Sequence, residues 1–214
     1  MAVSVVIPAL DEEERIAAAV TSARDAGAAE VIVVDGGSGD RTARFATAAG
    51  ARVILSQPPR ARQLNAGCEA AASELIIFLH ADSQLPAGAA EAVEQSGASF
   101  GGFRLRFAED DRKLRIAAAL INLRTAITRE PWGDQAQFVR RPAFPGFPEI
   151  PIMEDYELAR RMRTSARILP LYVTTSGRRF LKKGLIRTAA TNWWTILRYH
   201  LGCDLQRLAR NYKS

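Results

Sequence analysis

Four acidic sites fall at the ends of apolar runs or at loop exits: Asp11 with Glu12, Asp35, Asp82, and Glu154 with Asp155. Carboxylates gathered on one edge of a sheet suit metal binding, proton removal and hydroxyl recognition better than the cradling of bare phosphate. Asp82 closes LIIFLHAD, where one carboxylate can ligate Mg²⁺ or Mn²⁺ while water and a substrate diphosphate fill the other positions. His80, two residues earlier, reads equally well as a cleft residue or as a buried, hydrogen-bonded imidazole. Asp35 ends EVIVVDG and precedes GGSGD, a turn that lets a ligand approach the backbone, although it could equally be a plain turn residue. Asp11 is the expected cap of a first helix, and the acids after it offset the positive end of the helix dipole. PPRARQLNAG places Arg60, Arg62, Gln63 and Asn65 about a helix start, a phosphate-binding arrangement.

Two nucleotide-binding motifs are excluded. A GxGxxG fingerprint would need glycines at 37, 39 and 42, but position 42 is Thr42 and the loop follows the second strand rather than the first. GxxxxGK[ST] is absent as well. A Rossmann dehydrogenase and a P-loop enzyme are therefore not expected.

The elements that position these residues alternate. Val3 to Ala9, Glu30 to Gly36, Ala51 to Leu55 and Glu74 to Asp82 are almost continuously apolar and rich in Val and Ile, the pattern of parallel strands covered on both faces. Helix-prone segments lie between and after them, at about Glu13 to Asp25, Asp40 to Gly50, Ala61 to Ser73 and Pro86 to Ser96. The βα order implies an α/β fold with a doubly wound, mostly parallel sheet, whose strand C-termini share one edge. That edge is where such sheets bind ligands. After residue 98 the pattern changes: a strand at Gly101 to Phe107, a helix from Asp111 to Thr128, a short strand at Ala136 to Arg141, a loop at Ala143 to Pro151, a helix from Met153 and a strand at Arg167 to Ser176. Gly184 to Tyr212 reads as a long helical segment broken at Gly202. One domain is expected, with a nucleotide-binding half (1–98), an acceptor-binding half (99–183) and an amphipathic tail (184–214).

With 48% hydrophobic and 24% charged residues, the 214-residue chain is neither disordered nor membrane-spanning in composition, and no stretch reaches 18 uninterrupted apolar residues. The N-terminus lacks signal-peptide character. Cys68 and Cys203 show no CxxC spacing and no histidine cluster, which suits a reducing cytoplasm without a zinc site or disulfide. The net charge of +6 is uneven: residues 1–159 hold 16 Lys+Arg and 22 Asp+Glu, whereas residues 160–214 hold 13 Lys+Arg and Asp204 alone. Such a tail attracts polyanions or forms a solvated basic face. Its aromatics, Trp193, Trp194 and Tyr199, are expected to fold onto the sheet. The alternative is a helix lying on the inner face of the cell membrane as a peripheral contact. Nucleic-acid binding is not expected, because no recognisable module is present.

VVIPALDEEERI, VIVVDGGSGDRT, NAGCEAA, LIIFLHAD and IPIMEDYELARR resemble, in order and spacing, the inverting nucleotide-sugar glycosyltransferases of family 2, which have the GT-A fold. GGFRLRF, WGDQAQFVRR, FPEIPIMEDYEL and TTSGRR are further similar to a bacterial subgroup of radical-SAM/selenodomain-associated, or arsenosugar-biosynthesis, glycosyltransferases. The resemblance implies that Pro8, Glu12, Asp35, Arg62, His80 and Ala81 border a nucleotide-sugar donor. It implies that Asp82 holds a divalent metal, Mn or Mg, as the last carboxylate of the family's DxD, whose first Asp is replaced here by His80. Asp155 would be the general base, with Trp132, Asp134 and Gln135 contacting a hydroxyl-bearing acceptor. A helix N-terminal pair of acids is the structural alternative for Glu154 and Asp155, and Asp134 is the alternative base. Two rival functions are a nucleotidyltransferase and a non-catalytic membrane-surface module on the same fold.

Overall fold

A computed structural model describes the backbone of residues 2–213, and their side chains except those at 179, 183, 185, 186, 189 and 211–213. Eight strands form one sheet: β1 (Val3–Ala9), β2 (Glu30–Asp35), β3 (Arg52–Leu55), β4 (Leu75–Phe78), β5 (Ser83–Gln84), β6 (Phe100–Phe107), β7 (Phe138–Arg140) and β8 (Ala166–Thr175). The helices are α1 (Ile16–Asp25), α2 (Thr42–Ala48), α3 (Arg60–Ala70), α4 (Ala89–Ser96), α5 (Arg112–Thr128), α6 (Glu154–Met162), α7 (Arg178–Lys183), α8 (Leu185–His200) and α9 (Leu205–Lys213).

The strand order is β3-β2-β1-β4-β7-β6-β8-β5. β3, β2, β1 and β4 are parallel, β7 is antiparallel to both its neighbours, and β6 runs parallel to β8. Consequently β1, β2, β4, β6 and β8 all end on the edge at which β7 begins. That edge collects Pro8 to Glu12, Asp35, His80 to Asp82, the loop before β7, and Arg178 just beyond β8.

Both faces of the parallel part are buried, which is why its strands read as unbroken apolar runs. Val5, Ile7, Val33 and Ile77 pack on one side with Ile16 and Val20 of α1 and Val93 of α4. Val6, Ile32, Val34 and Ile76 pack on the other with Leu64 of α3 and Leu158 of α6. α3 sits so close that a Cβ on Gly67 would lie 2.3 Å from Val6, so only glycine permits this approach.

Several boundaries differ from the sequence expectation. α1 begins at Ile16, not Glu13, because Asp11 does not cap it; Asp11 adopts a left-handed backbone (φ 52°) and accepts the Gly39 N–H at 2.8 Å instead. β4 ends at Phe78, so His80 and Asp82 lie on the following turn, free of the ladder. Two short elements, β5 and α7, were not foreseen, whereas the break near Gly202 separates α8 from α9 as expected.

The tail helix departs most. α8 buries Thr188 and Thr195, while its Trp193, Trp194 and Leu197, and Leu201 just beyond it, are exposed. The expectation that the aromatics fold onto the sheet therefore fails for both tryptophans. α8 is moored by polar bonds from its end: the Tyr199 hydroxyl donates to Glu157 Oε2 at 2.8 Å and Tyr156 Oη lies 2.8 Å from His200 Nε2. α5, which touches α8, exposes Ile116, Leu120, Leu123 and Ile127 along one helical stripe.

Candidate active site

Pro8, Leu10, Glu12, Arg60, His80, Ala81 and Asp82 line a cleft of about 190 Å³ at the strand-end edge. A larger, open depression of about 360 Å³ between the end of α1 and the start of α4 lies at the opposite edge and includes none of these residues.

On the donor side, Asp35 is buried and positioned by Ser38, whose N–H and hydroxyl both donate to Oδ1 at 3.0 and 2.5 Å. Its backbone is in register with Ala9, beside Pro8. Arg60, in the first turn of α3, points its guanidinium between Glu154 (3.4 Å) and His80 Nε2, with which Nη2 is in close contact. Burial and the Arg60 charge push the His80 pKa well below its ordinary value, so the imidazole is neutral at physiological pH.

On the opposite wall, Asp155 occupies the first turn of α6. Its Oδ2 accepts the Gly133 N–H at 2.8 Å and its Oδ1 accepts the Tyr156 N–H at 2.8 Å, so two backbone donors fix the carboxylate. The two walls meet at Gly133. A Cβ there would lie 2.7 Å from Asp155 Oδ2, 2.7 Å from His80 Nε2 and 3.1 Å from Arg60 Nη2. Local strain marks the same place: Met153 (φ 72°), immediately before Glu154, and Ala136 (φ 45°), closing the Gly133–Gln135 turn, are left-handed non-glycine residues, as Asp11 is. Such strain is maintained only where surrounding contacts over-determine the backbone.

Asp134, next to Gly133, has a different environment. Burial pushes its pKa up to about 6 against the opposing charge of Arg124, and the Asp155 charge adds to the rise. Its Oδ1 is buried without a hydrogen-bond partner, as is Trp132 Nε1. The Trp132 ring is clamped between the Arg124 guanidinium, 3.5 Å from its centroid, and the edge of Tyr156. An unsatisfied carboxylate oxygen and an unsatisfied indole N–H beside Asp155 form a wall able to hold a polar ligand.

Two residues assigned by sequence lie elsewhere. Arg62 is exposed and paired with Glu149 at 2.9 Å; on this helix Arg60, one turn-face away, enters the cleft. Gln135 is fully buried and spends its amide on Thr125 Oγ1, Arg124, the Trp132 N–H and the Phe103 carbonyl, so it shapes the loop instead of facing a ligand. Gly133 and Arg178 lie in the WGDQAQFVRR and TTSGRR motifs without being singled out, and Arg124 lies in no quoted motif; each reaches the site by tertiary contact.

The implied metal can be tested against the donors present. Asp82 is one carboxylate, and its Oδ2 lies 3.4 Å from Arg178 Nη2, which also bonds Glu12 Oε1 at 2.6 Å. His80, at the position of the family's first carboxylate, is a nitrogen donor engaged by Arg60. Among the described residues no three His, Cys, Asp or Glu side chains converge. A hard divalent cation can be held by one or two carboxylates with water and a substrate diphosphate, but here the one carboxylate, Asp82, is already paired with Arg178 and the neighbouring position is a nitrogen donor.

The M. tuberculosis glucosyl-3-phosphoglycerate synthase in complex with Mg²⁺ and UDP superposes with a TM-score of 0.64 at 20% identity, covering 95% of this chain and 80% of that one. The same enzyme with Mn²⁺, UDP and glucosyl-3-phosphoglycerate gives 0.61. S. aureus TarS 1–349 in complex with UDP gives 0.61 at 17% identity, covering 85% of this chain and 63% of that one. The chain spans 65% of a further mycobacterial protein of solved structure, so it is shorter than several of its structural neighbours. No curated protein matches it by sequence. These likenesses establish the mixed α/β GT-A fold, and residues 4–132 match Glycosyl transferase family 2, which is the family to which this chain belongs.

Proposed function

We propose that the protein is an inverting glycosyltransferase that moves a sugar from a nucleotide-sugar donor to an acceptor hydroxyl. The observation that carries the reading is the convergence of Asp155, His80 and Arg60 about Gly133, which brings a fixed carboxylate to the mouth of the donor cleft. Solved neighbours that hold UDP support the donor class. Pro8 and Asp35 border the nucleoside, while Glu12, Ala81 and Asp82 line the diphosphate end.

Asp155 takes the acceptor's hydroxyl proton. The acceptor oxygen forms its bond to the anomeric carbon from the opposite face as the carbon–phosphate oxygen bond breaks, and the electron pair leaves on the diphosphate. A nucleoside diphosphate leaves as a stabilised anion, so the site needs positive charge near the leaving group and no acid. Trp132 and Asp134 hold the acceptor in this scheme. The subgroup resemblance belongs to the same proposal. The test is NMR of the product from an α-linked UDP-sugar or GDP-sugar: a β-linked product supports direct displacement, and a retained α-linkage refutes it.

A second observation favours a peripheral site of action. α8 exposes Trp193, Trp194 and Leu197, and α5, which touches it, exposes Ile116, Leu120, Leu123 and Ile127, so large apolar side chains lie bare on two adjoining helices. α8 belongs to the segment with 13 Lys+Arg, and Arg198 lies 4.9 Å from the Trp194 ring centroid. Interfacial aromatics with basic neighbours suit an anionic bilayer. No helix among the described residues is long and apolar enough to cross a membrane, so the contact is peripheral, consistent with the cytoplasmic assignment that two free cysteines suit. The chain should co-sediment with phosphatidylglycerol vesicles and not with phosphatidylcholine alone, and Trp193→Ser with Trp194→Ser should abolish this. A chain that stays in the supernatant with both vesicles refutes it.

A further inference from the structure

Arg178 occupies the position, relative to Asp82 and Glu12, at which a cation would be expected. It is the first residue of α7, directly beyond β8, and β8 ends on the ligand edge because it runs parallel to β6. The Ser176–Gly177 turn that delivers it is itself fixed: Gly177 N–H donates to Glu109 Oε2 at 2.7 Å. A Cβ on Gly177 would lie 2.5 Å from Leu114, so the chain passes tightly against α5. The guanidinium is then held between two carboxylates from different elements, Glu12 after β1 and Asp82 after β4, and both contacts run through Nη2.

We propose that Arg178, assisted by Arg60, supplies the positive charge for the donor diphosphate that a divalent cation would otherwise supply. The inference rests on the nucleotide-sugar reading above. Three features of the site support it. Asp82 and Glu12 already share the Arg178 guanidinium, and His80, where the family has its first carboxylate, is engaged by Arg60. A guanidinium is permanently charged and presents five N–H donors in a planar fork that fits phosphate oxygens. Arg178 is also only partly covered, with 45% of its side chain exposed, so the fork is open to an incoming ligand. Asp82 and Glu12 act here as positioning residues: they hold the guanidinium at the strand ends before the donor arrives, and Arg60 faces the same cleft from α3.

The experiment is calorimetric titration of UDP and GDP into the full chain, in EDTA and then in Mn²⁺, for the wild type, Arg178→Ala and Arg178→Lys. The expected result is binding of one nucleotide in EDTA, changed less than about threefold by Mn²⁺. Arg178→Ala should lose about tenfold or more, in line with one charge-assisted contact, and Arg178→Lys should recover part of it. The loss should be smaller for the matching nucleoside monophosphate, which a simple folding defect would not produce. Binding that requires Mn²⁺ in the wild type, or an Arg178→Ala variant that binds UDP and GDP as the wild type does, overturns the inference and leaves the transferase reading standing. Failure of both nucleotides to bind in any buffer overturns both.

Discussion

The two walls of the cleft are built by different means. The wall from β1, β2 and β4 is held by apolar burial: Val6, Ile32 and Ile76 are completely buried, and the chemistry-bearing residues follow wherever the strand runs out. The wall from the β7 approach and α6 shares that apolar core through Val139 and Leu158 but adds a framework of polar bonds, such as Gln137 donating to the Pro131 and Asp155 carbonyls at 2.8 Å each, and Gln135 tying Thr125 to Phe103. Burial tolerates exchange of one aliphatic residue for another of similar volume. A polar framework does not, since each lost partner strands a buried group. The donor half should therefore be robust to conservative change and the base-carrying half brittle.

The largest effect that would sharpen this contrast is Gly133→Ala. The added methyl must displace Asp155 Oδ2 or His80, each 2.7 Å from it, and a shift of about 1 Å at a reacting group costs roughly a hundredfold in turnover. Nucleotide affinity should stay within a few fold. A variant with wild-type turnover would show that this turn does not position the base.

Asp134→Asn should act on stability, with a defined sign. The folded-state pKa is raised to about 6 from 3.8, so the wild type loses stability as pH rises from about 4 through 6. At about 1.4 kcal/mol per unit, the variant should gain about 2 to 3 kcal/mol at pH 8 and nothing below pH 4. Thermal melts across pH would check this, and an advantage independent of pH would contradict the assignment.

Glu157→Gln should have the smaller, opposite effect. Burial pushes the Glu157 pKa up, but hydrogen bonds from Arg160, Arg161 and Tyr199 outweigh it and hold it at about 2. Its contribution is present above the unfolded value of about 4.5 and lost as pH falls toward 2. Because both arginines are nearly half exposed, the loss at pH 7 should be only about 1 to 2 kcal/mol. Chemical denaturation at pH 7 and pH 3 measures it, and equal losses at both would exclude the ionic origin.

The same contrast explains what the sequence revealed. The strands of the parallel part were legible because burial on both faces writes an unbroken apolar run, and Asp35 and Asp82 were legible because they close such runs. Asp155 came from the family resemblance, as its spacing alone reads equally as a helix N-terminal acid. Arg60 and Arg62 read alike in PPRARQLNAG, and only the phase of α3 against the sheet decides that Arg60 lines the cleft while Arg62 pairs with Glu149. α8 was misjudged because its aromatic residues suggest burial, whereas Thr188 and Thr195 supply the buried face. Gln135 looked like a ligand contact because nothing local shows that its amide is consumed by backbone 32 residues away.

The central claim is that one cleft joins a donor-binding wall to a base-carrying wall. Its most direct test is Asp155→Asn, assayed for sugar transfer and titrated with UDP and GDP under the same conditions. The account predicts turnover lower by about 10²- to 10⁴-fold with the nucleotide dissociation constant changed less than about threefold. Retained turnover would contradict it by removing Asp155 from the chemistry, and lost turnover with equally lost nucleotide binding would contradict it by placing Asp155 in the donor wall.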